Sequence, residues 1–362
     1  MSIEFKLSDR ELPASPAFIR FLAETLSLTK AEPQVWPDQI CEQLWHVDTR
    51  QQQRMGETAE LILQTEQGRA WVARAYSLFV YLLTGDLEPL AQLQSRFRFI
   101  TVTGIPRTGG SYLTAEIYKS LNIDPHTVPN VIAHDSFPEA GPYVLAPGFN
   151  GWTTTLKSTA EFLTMVEIFF AGHRARSGRI VVPKKLTQSV YAAAFFQRIF
   201  GPQSEEIFTV RHPAAACIST YEKSGGLPAD GRFRVRSNIE AWCRRDLEHQ
   251  GWSAAQLETM DYFEVYLRYW EHYHLRFATD ATVMLRRPRI VPYGADTFIA
   301  LAQHYHDLHA SGLKAAPFHV ADAARRRYPE WIEFAQASIE SVARTWQRMG
   351  LVFPREEVNQ AL

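Results

Sequence analysis

The chain has little of the chemistry that defines disulfide-bonded, zinc-binding, membrane-spanning or nucleic-acid-binding proteins. It has 362 residues but only 3 cysteines, whose scattered positions (41, 217 and 243) predict neither a disulfide framework nor a zinc site. The longest apolar run, residues 76–83, is far shorter than the roughly 20 residues that a membrane span needs. The net charge of −1 lacks the basic excess of a general nucleic-acid binder.

The sequence start and the overall composition favour a soluble globular enzyme. Residues 1–12 mix charges of both signs and contain no apolar stretch, so we expect no secretory signal and a cytoplasmic location. Hydrophobic residues make up 46% of the chain and charged residues 21%, which favours a packed core over disorder.

Hydrophobic periodicity divides the chain into two parts. In residues 1–95, apolar side chains such as Phe18, Leu22 and Leu26 recur at helical spacing, which predicts a helical N-terminal region. We expect this region to pack on the core; a part in the acceptor site or in a homodimer is the alternative. In residues 96–362, strand-like runs alternate with helical patterns, which predicts an α/β domain.

The alternation of strands and helices predicts a parallel sheet flanked by helices. The strand-like runs cover residues 99–103, 179–183, 206–210 and 282–293, and the helical patterns that follow them cover 111–122, 188–200, 213–223 and 295–308. Ligands of such sheets bind at the carboxyl ends of the strands. We therefore expect Arg107, Lys185 and Arg211, which follow or end three of these runs, to converge at one edge.

The loop at residues 104–111 has the composition of an anion site. It reads G-x-x-x-x-G-G-S between a strand and a helix, where free backbone N–H groups and the helix dipole favour a phosphate. The phosphate-loop pattern of ATP and GTP enzymes is G-x-x-x-x-G-K-[ST], so Gly110 stands in place of the lysine. Arg107 is the cation that the loop itself supplies.

Three segments, in order, resemble the sulfotransferases that use 3′-phosphoadenosine 5′-phosphosulfate (PAPS). Residues 106–111, P-R-T-G-G-S, resemble the family's P-[KR]-S-G-T-[TS] loop. Residues 207–219 resemble its strand followed by R-[DNH]-P-x-x-x-x-x-S, with Arg211 and Ser219 at the two ends of the motif. Residues 179–200 resemble its strand, K-x-P and helix element, with Lys185, or Lys184 one position earlier, as the lysine. Gly110 and the missing proline after the lysine depart from the family pattern.

The resemblance implies a P-loop-like fold, PAPS as co-substrate, no metal, and a set of site residues. The residues it assigns to the donor are Arg107, Thr108, Gly109, Gly110, Ser111, Tyr112, Arg211 and Ser219. Arg107 and Lys185 would stabilise charge on the leaving group. His134 would be the general base, since it lies after the first helix, where the family often places its base, and since the ordinary pKa of histidine is near neutrality. Asp135 and Glu139 are its substitutes.

Several alternatives remain at the level of sequence. A P-loop kinase using ATP, or a sulfotransferase-like binding protein without catalysis, would share the same loop. Arg211 could instead pair with Glu205 or Glu206. The acceptor is open among small molecules, lipids and sugars, and the aromatic residues at 252–277 either line its pocket or form core. Three further arginine clusters could bind the donor: 232, 234 and 236; 286, 287 and 289; and 325–327.

Overall fold

The computed structural model describes residues 14–28, 49–135, 137–141, 149–173, 178–223, 225–320 and 328–360. Its centre is a sheet of four strands in the order β2-β1-β3-β4, and every pair is parallel. The strands are β1 (Phe97–Thr103), β2 (Ile180–Lys185), β3 (Glu205–Val210) and β4 (Arg289–Pro292). The prediction of a parallel α/β sheet flanked by helices is confirmed.

Helices precede, connect and follow the strands, as parallel pairing requires. Before β1 lie α1 (Pro16–Thr25), α2 (Thr49–Gln64), α3 (Glu66–Thr84) and α4 (Glu88–Arg96). Between β1 and β3 lie α5 (Gly110–Ser120), α6 (Asn130–Ala133), α7 (Phe149–Phe169) and α8 (Ala193–Phe200). After β3 come α9 (Pro213–Lys223), α10 (Asn238–His249), α11 (Ala254–Thr259), α12 (Tyr262–Ala281), α13 (Ala295–Leu308), α14 (Pro329–Arg348) and α15 (Arg355–Gln360). None of the helices in the described part of the chain has the length and apolarity to cross a membrane.

The side chains of β1 are buried on both faces of the sheet. Phe97 and Phe99 pack in a cluster with α7 and the N-terminal helices, whereas Ile100 and Val102 pack with α5 and α13. Successive side chains of a strand point to opposite faces, so a central parallel strand is apolar throughout. The N-terminal helices are held on α7 by a bidentate ion pair as well, in which Arg74 donates to Glu167 at 2.9 and 3.0 Å.

The aromatic residues of α12 form core. Trp270, Tyr273 and Phe277 are buried, and the ring of Phe277 stacks on that of Phe208 in β3 with centroids 3.6 Å apart. The indole N–H of Trp346 in α14 donates to the backbone oxygen of His274 at 2.9 Å, which ties the two helices together. Of the two interpretations of residues 252–277, packing is therefore correct for these helical positions.

Two predicted elements are shorter than their sequence patterns. The apolar run 282–293 forms a strand only from Arg289, and Val283 and Leu285 are exposed. Pro288 lacks the N–H that would extend the ladder. The helical pattern 188–200 is divided into a 3₁₀ turn at Thr187–Tyr191 and α8. In that turn the backbone oxygen of Thr187 accepts a hydrogen bond from the hydroxyl of Tyr273 at 2.5 Å.

A buried carboxyl group lies within the sheet. Glu206 in β3 is 5% exposed, and its Oε2 accepts a hydrogen bond from the Thr101 hydroxyl of the neighbouring strand, while its Oε1 has no hydrogen-bond partner. Burial raises the pKa of Glu206 to about 7. The group is therefore protonated and neutral at mildly acidic pH and becomes a buried charge above neutrality.

Replacing Glu206 by glutamine is expected to stabilise the protein at pH 8 but not at pH 4. An unfolded glutamate loses its proton near pH 4.3, whereas the folded protein retains it to about pH 7. The stability gained from this retained proton is complete below pH 4 and is lost as the pH rises toward 7. At pH 8 the variant should gain up to about 3 kcal/mol in free energy of unfolding. Urea denaturation at both pH values measures this, and an equal difference at pH 4 and pH 8 would contradict it.

Candidate active site

A cleft of about 1000 Å³ opens at the carboxyl ends of β1, β2 and β3. Strand β2 pairs with one edge of β1, and β3 pairs with the other edge. The cleft therefore lies at a topological switch point, where open parallel sheets bind their ligands. Its lining residues are Pro106, Arg107, Gly109, Gly110, Ser111, Tyr112, His134, Asp135, Lys185, Arg211, Ser219, Thr220, Lys223, Val235, Arg236, Ser237, Ile239, Ala241, Trp242, Tyr293, Phe318 and His319. The expected convergence of the loops after β1, β2 and β3 is observed.

The cleft concentrates positive charge in a nearly neutral chain. Among the described residues, five cationic side chains and one carboxylate, that of Asp135, line it. The cationic residues are Arg107, Lys185, Arg211, Lys223 and Arg236. The whole chain, in contrast, has 38 lysines and arginines and 39 aspartates and glutamates. Such a local excess focuses an attractive field on an anionic ligand.

The glycine-rich loop presents backbone rather than side chain to the cleft. Gly109 has φ +85°, and a Cβ there would lie 2.6 Å from the Phe298 ring, so glycine is required. A Cβ on Gly110 would lie 3.2 Å from Cε of Lys185, whose side chain passes over this position. Helix α5 begins at Gly110 with no side chain capping its first turn. Its first amide N–H groups are therefore available to an anion.

Arg107, Ser219 and Arg211 form one hydrogen-bonded cluster, although they are far apart in sequence. Arg107 has φ +70°, which is uncommon for a residue with a side chain, and such strain is frequent at binding sites. Its Nε donates to Oγ of Ser219 at 3.1 Å. Arg211 donates from Nη1 to the backbone oxygen of Arg107 at 2.9 Å. The backbone of the loop is thus joined to the end of β3.

Arg211 is a buried cation whose partners are a carbonyl and an aromatic ring. It is 2% exposed, its guanidinium lies 4.0 Å from the ring centroid of Tyr293, and its Nε has no hydrogen-bond partner. Burial lowers the pKa of Arg211. The alternative ion pairs are not formed: among the described residues Glu205 pairs with Arg98 and Arg289, and Glu206 has no cationic partner. The site therefore leaves this positive charge available to a ligand.

The two lysines at the end of β2 point in opposite directions, as alternation along a strand requires. Lys185 lines the cleft and forms an ion pair with Asp135. Lys184 is fully buried and donates to the backbone oxygens of Val131, at 2.9 Å, and His134. Burial lowers the pKa of Lys184 to about 7. Lys185 is thus the lysine in the cleft, and Lys184 holds the backbone that carries His134.

His134 lies beside the loop and bonds to it. Its Nε2 is 2.9 Å from Oγ of Ser111, and its Nδ1 is 3.8 Å from Oδ2 of Asp135. Burial, together with the positive charge of Lys185, lowers the pKa of His134 to about 4. This value is below the near-neutral one on which the sequence argument relied. The imidazole is therefore neutral at pH 7, so it can accept a proton, but it is a weaker base than an imidazole with the ordinary pKa.

The two substitutes for His134 are less suited to that task. Burial alone would raise the pKa of Asp135, but the ion pair with Lys185 and a 2.8 Å hydrogen bond from the amide of Thr187 hold it well below its usual range. A carboxylate so strongly stabilised is a weak base. Glu139 is not among the residues that line the cleft.

Of two further residues that the sequence analysis assigned to the donor, one lies outside the cleft lining and the other lines the cleft. Thr108 is buried outside the cleft lining, and its hydroxyl bonds to Ile105 O and to Thr209 Oγ1, both at 2.7 Å. Its side chain therefore shapes the loop and does not reach a ligand. Tyr112 lines the cleft, and its ring lies 4.8 Å from that of Phe318.

Of the three further arginine clusters in the sequence, the described residues place one arginine in the lining of the cleft. Arg236 lines the cleft, whereas exposed Arg234 pairs with Asp230 outside it. Arg286 donates from its side chain to the backbone of Ser204 at 3.4 Å, and Arg289 pairs with Glu205. Residues 325–327 lie outside the described residues.

Sequence reasoning missed several cleft residues. The lining residues it did not assign include Lys223, Val235, Ile239, Trp242, Phe318 and His319. Lys223 alone carried a signal: it follows Ser219 by one helical turn on α9, and residues so spaced share a helix face. Tyr293 also lines the cleft, and its ring lies against Arg211.

Comparison with known proteins adds no family assignment: no protein-family model and no curated protein sequence matches the chain. Within the described residues, no group of three or more histidine, cysteine, aspartate or glutamate side chains is arranged to hold a metal ion.

Proposed function

We propose that the protein is a sulfotransferase that moves the sulfuryl group of PAPS to a hydroxyl or amine of an acceptor. One observation carries the proposal: five cationic side chains and one carboxylate line a cleft at the switch point of a parallel sheet, in a chain of net charge −1. The glycine-rich loop that resembles the family's donor loop starts a helix in the same cleft. A ligand with several anionic groups, such as PAPS, matches this charge.

The residues present fit both anionic ends of the donor. The uncapped start of α5, with Ser111 and Lys185 beside it, suits the 5′-phosphosulfate, since amide N–H groups and a cation converge there. Arg211 and Ser219 suit the 3′-phosphate, because Arg211 is buried with an unpartnered Nε and no carboxylate partner among the described residues.

The transfer requires a base and positive charge from the protein. His134 would accept the acceptor's proton at Nε2 as the acceptor oxygen bonds to sulfur. The bond between sulfur and the bridging phosphate oxygen breaks, and its electron pair leaves with adenosine 3′,5′-bisphosphate. Lys185 and Arg107 would stabilise the charge that grows on that oxygen, by analogy with phosphoryl transfer. The products are a sulfated acceptor and the bisphosphate, and His134 holds the proton.

The direct test of the activity is turnover of PAPS labelled in its sulfuryl group, with a panel of phenols, sugars and lipids. We expect label to move from PAPS to one acceptor class and adenosine 3′,5′-bisphosphate to appear in equal amount. Binding of the bisphosphate with no transfer to any class would favour a sulfotransferase-like binding protein. Transfer of phosphate from ATP to the same panel would favour a kinase.

Replacing Arg211 by alanine is expected to weaken binding of adenosine 3′,5′-bisphosphate by at least tenfold. Loss of a charge-assisted hydrogen bond costs about 1.5–3 kcal/mol, and a factor of ten corresponds to about 1.4 kcal/mol. Calorimetric titration measures the affinity. Adenosine 5′-phosphate, which lacks the 3′-phosphate, is the control ligand, and Arg234→Ala, which removes an exposed arginine outside the cleft, is the control variant. An equal loss of affinity for both nucleotides would mean that Arg211 does not contact the 3′-phosphate.

A further inference from the structure

The edge of the sheet at which the four strands begin, here called the amino edge, is rich in arginine and lies opposite the cleft. The segments that lead into the strands are residues 94–98, 178–180, 197–206 and 282–289. Together they contain seven arginines, no lysine, and two acidic residues, Glu205 and Glu206. Glu206 is the buried carboxyl group within the sheet. The amino-edge arginines are Arg96, Arg98, Arg179, Arg198, Arg286, Arg287 and Arg289.

The amino-edge arginines outnumber the carboxylates that pair with them. Glu205 pairs with two of them, Arg98 at 3.2 Å and Arg289 at 4.0 Å. Among the described residues, no carboxylate forms an ion pair with the other five. Arg198 and Arg287 are exposed to solvent. A local excess of exposed positive charge in a chain of net charge −1 favours an anionic partner.

Hydrogen bonds hold the arginine-bearing segments side by side. Gln197 in α8 is buried, and its amide donates to the backbone oxygen of Arg286 at 2.9 Å and accepts from the backbone N–H of Arg286 at 3.0 Å. Gln94 in α4 donates from its side chain to the backbone oxygen of Arg198 at 3.1 Å. Arg179 donates from Nε to the backbone oxygen of Gln94 at 3.0 Å. Segments from three places in the chain therefore meet at one surface.

The segment before β4 adds exposed aliphatic side chains to this surface. Val283 is 57% exposed and Leu285 is 54% exposed, whereas Met284 between them packs against the core. The two side chains therefore point away from the core, and Arg286 and Arg287 follow them directly. The bonds from Gln197 to the backbone of Arg286 fix this arrangement. Exposed apolar side chains beside several cations are typical of protein surfaces that bind anionic membranes.

We infer that the amino edge binds the surface of a membrane that contains anionic phospholipids. The guanidinium groups would bind headgroup phosphates, for which their forked geometry is suited. Val283 and Leu285 would enter the boundary between headgroups and acyl chains. Nucleic acid would engage the arginines but would leave both aliphatic side chains in water. Because the cleft is at the other edge of the sheet, a protein bound in this way keeps its cleft open to solution.

The test is co-sedimentation of the full chain with vesicles of phosphatidylcholine, alone or mixed with phosphatidylserine. We expect the wild type to bind the mixed vesicles at least tenfold more tightly than the neutral ones, and to lose this preference at about 0.5 M salt. Arg286→Gln with Arg287→Gln should lower affinity for the mixed vesicles at least tenfold. Val283→Ser with Leu285→Ser should also lower it, while the dependence on salt remains.

The matched control is Arg232→Gln with Arg234→Gln, which removes two exposed arginines from another part of the surface. Arg232 pairs with Asp261 at the start of α12, whereas the segment with Val283 follows the end of that helix. This control should bind the mixed vesicles within about twofold of the wild type, as expected for charges far from the membrane. Thermal unfolding equal to that of the wild type shows that each variant is folded.

Several results would overturn the inference. They are equal binding of the wild type to both kinds of vesicle, unchanged affinity in either amino-edge variant, and an equal loss in the control. Binding to duplex DNA without binding to vesicles would assign the arginines to nucleic acid instead. A dimer that forms without vesicles and is lost in Val283→Ser with Leu285→Ser, together with no vesicle binding, would assign this surface to a second copy. None of these results depends on the proposed sulfotransferase activity.

Discussion

Replacing His134 by alanine is expected to lower turnover of PAPS by about 10²–10⁴, because the variant lacks the proposed general base. Affinity for adenosine 3′,5′-bisphosphate should be nearly unchanged, since the proposed base faces the acceptor. The imidazole is bonded to Ser111 at 2.9 Å, so the base is already located beside the loop that begins α5. Steady-state turnover and calorimetric titration of the same preparation give the two quantities.

The pH dependence distinguishes a base from a residue that only fills space. The pKa of His134 is about 4, so kcat/KM of the wild type should be level at neutral pH and fall only as the pH approaches 4. The alanine variant should lack this acidic limb. His126→Ala, which removes an exposed histidine outside the cleft, is the matched control and should leave turnover unchanged. Near-normal turnover of His134→Ala would contradict the assignment of His134 as the base.

Replacing Lys185 by methionine should lower turnover by about 10²–10³, more than it lowers affinity for the bisphosphate. A unit charge about 4 Å away at an effective dielectric near 20 is worth about 4 kcal/mol, and only the part that grows in the transition state affects turnover. Methionine keeps the length of the side chain that crosses Gly110. Equal losses in turnover and in affinity would mean that Lys185 only binds.

The same variant predicts a shift in the acidic limb. The charge of Lys185 lowers the pKa of His134, whereas the charge of Asp135 raises it. With Lys185 removed, the pKa of His134 should rise from about 4, and the acidic limb of kcat/KM should move to higher pH. Lys314→Met, outside the cleft, is the control and should leave the profile in place. An unmoved limb in Lys185→Met would contradict the proposed arrangement of these three side chains.

The sequence predicted the sheet because its strands are buried on both sides. The run at 180–183 is apolar without alternation, and each strand-like run is followed by a helical period, a combination that is typical of a parallel sheet. Strand order then brought Arg107, Lys185 and Arg211 to one edge. The sequence alone could not decide whether Lys184 or Lys185 is the lysine in the cleft, because the choice depends on which face of β2 is covered.

The rest of the cleft depends on contacts between distant segments, which periodicity does not encode. The contact of Tyr293 with Arg211 follows from the pairing of β3 with β4: the amide of Tyr293 donates to Val210 O at 2.8 Å, so the two side chains follow neighbouring strands at one level. The bond between Ser111 and His134 needs the fold of the chain after α5. The lowered pKa of His134 depends on the desolvation of its ring in the cleft and on the charge of Lys185. Neither of these is a local property of the sequence.

The most direct test of the central claim is a calorimetric titration of the wild-type protein with adenosine 3′,5′-bisphosphate in the absence of metal, beside a titration with ATP and magnesium. We predict tight binding of the bisphosphate, because Arg211 and Ser219 would hold its 3′-phosphate, and much weaker binding of ATP, which lacks that group. Affinity for ATP with magnesium that exceeds affinity for the bisphosphate would contradict the assignment of this cleft to PAPS.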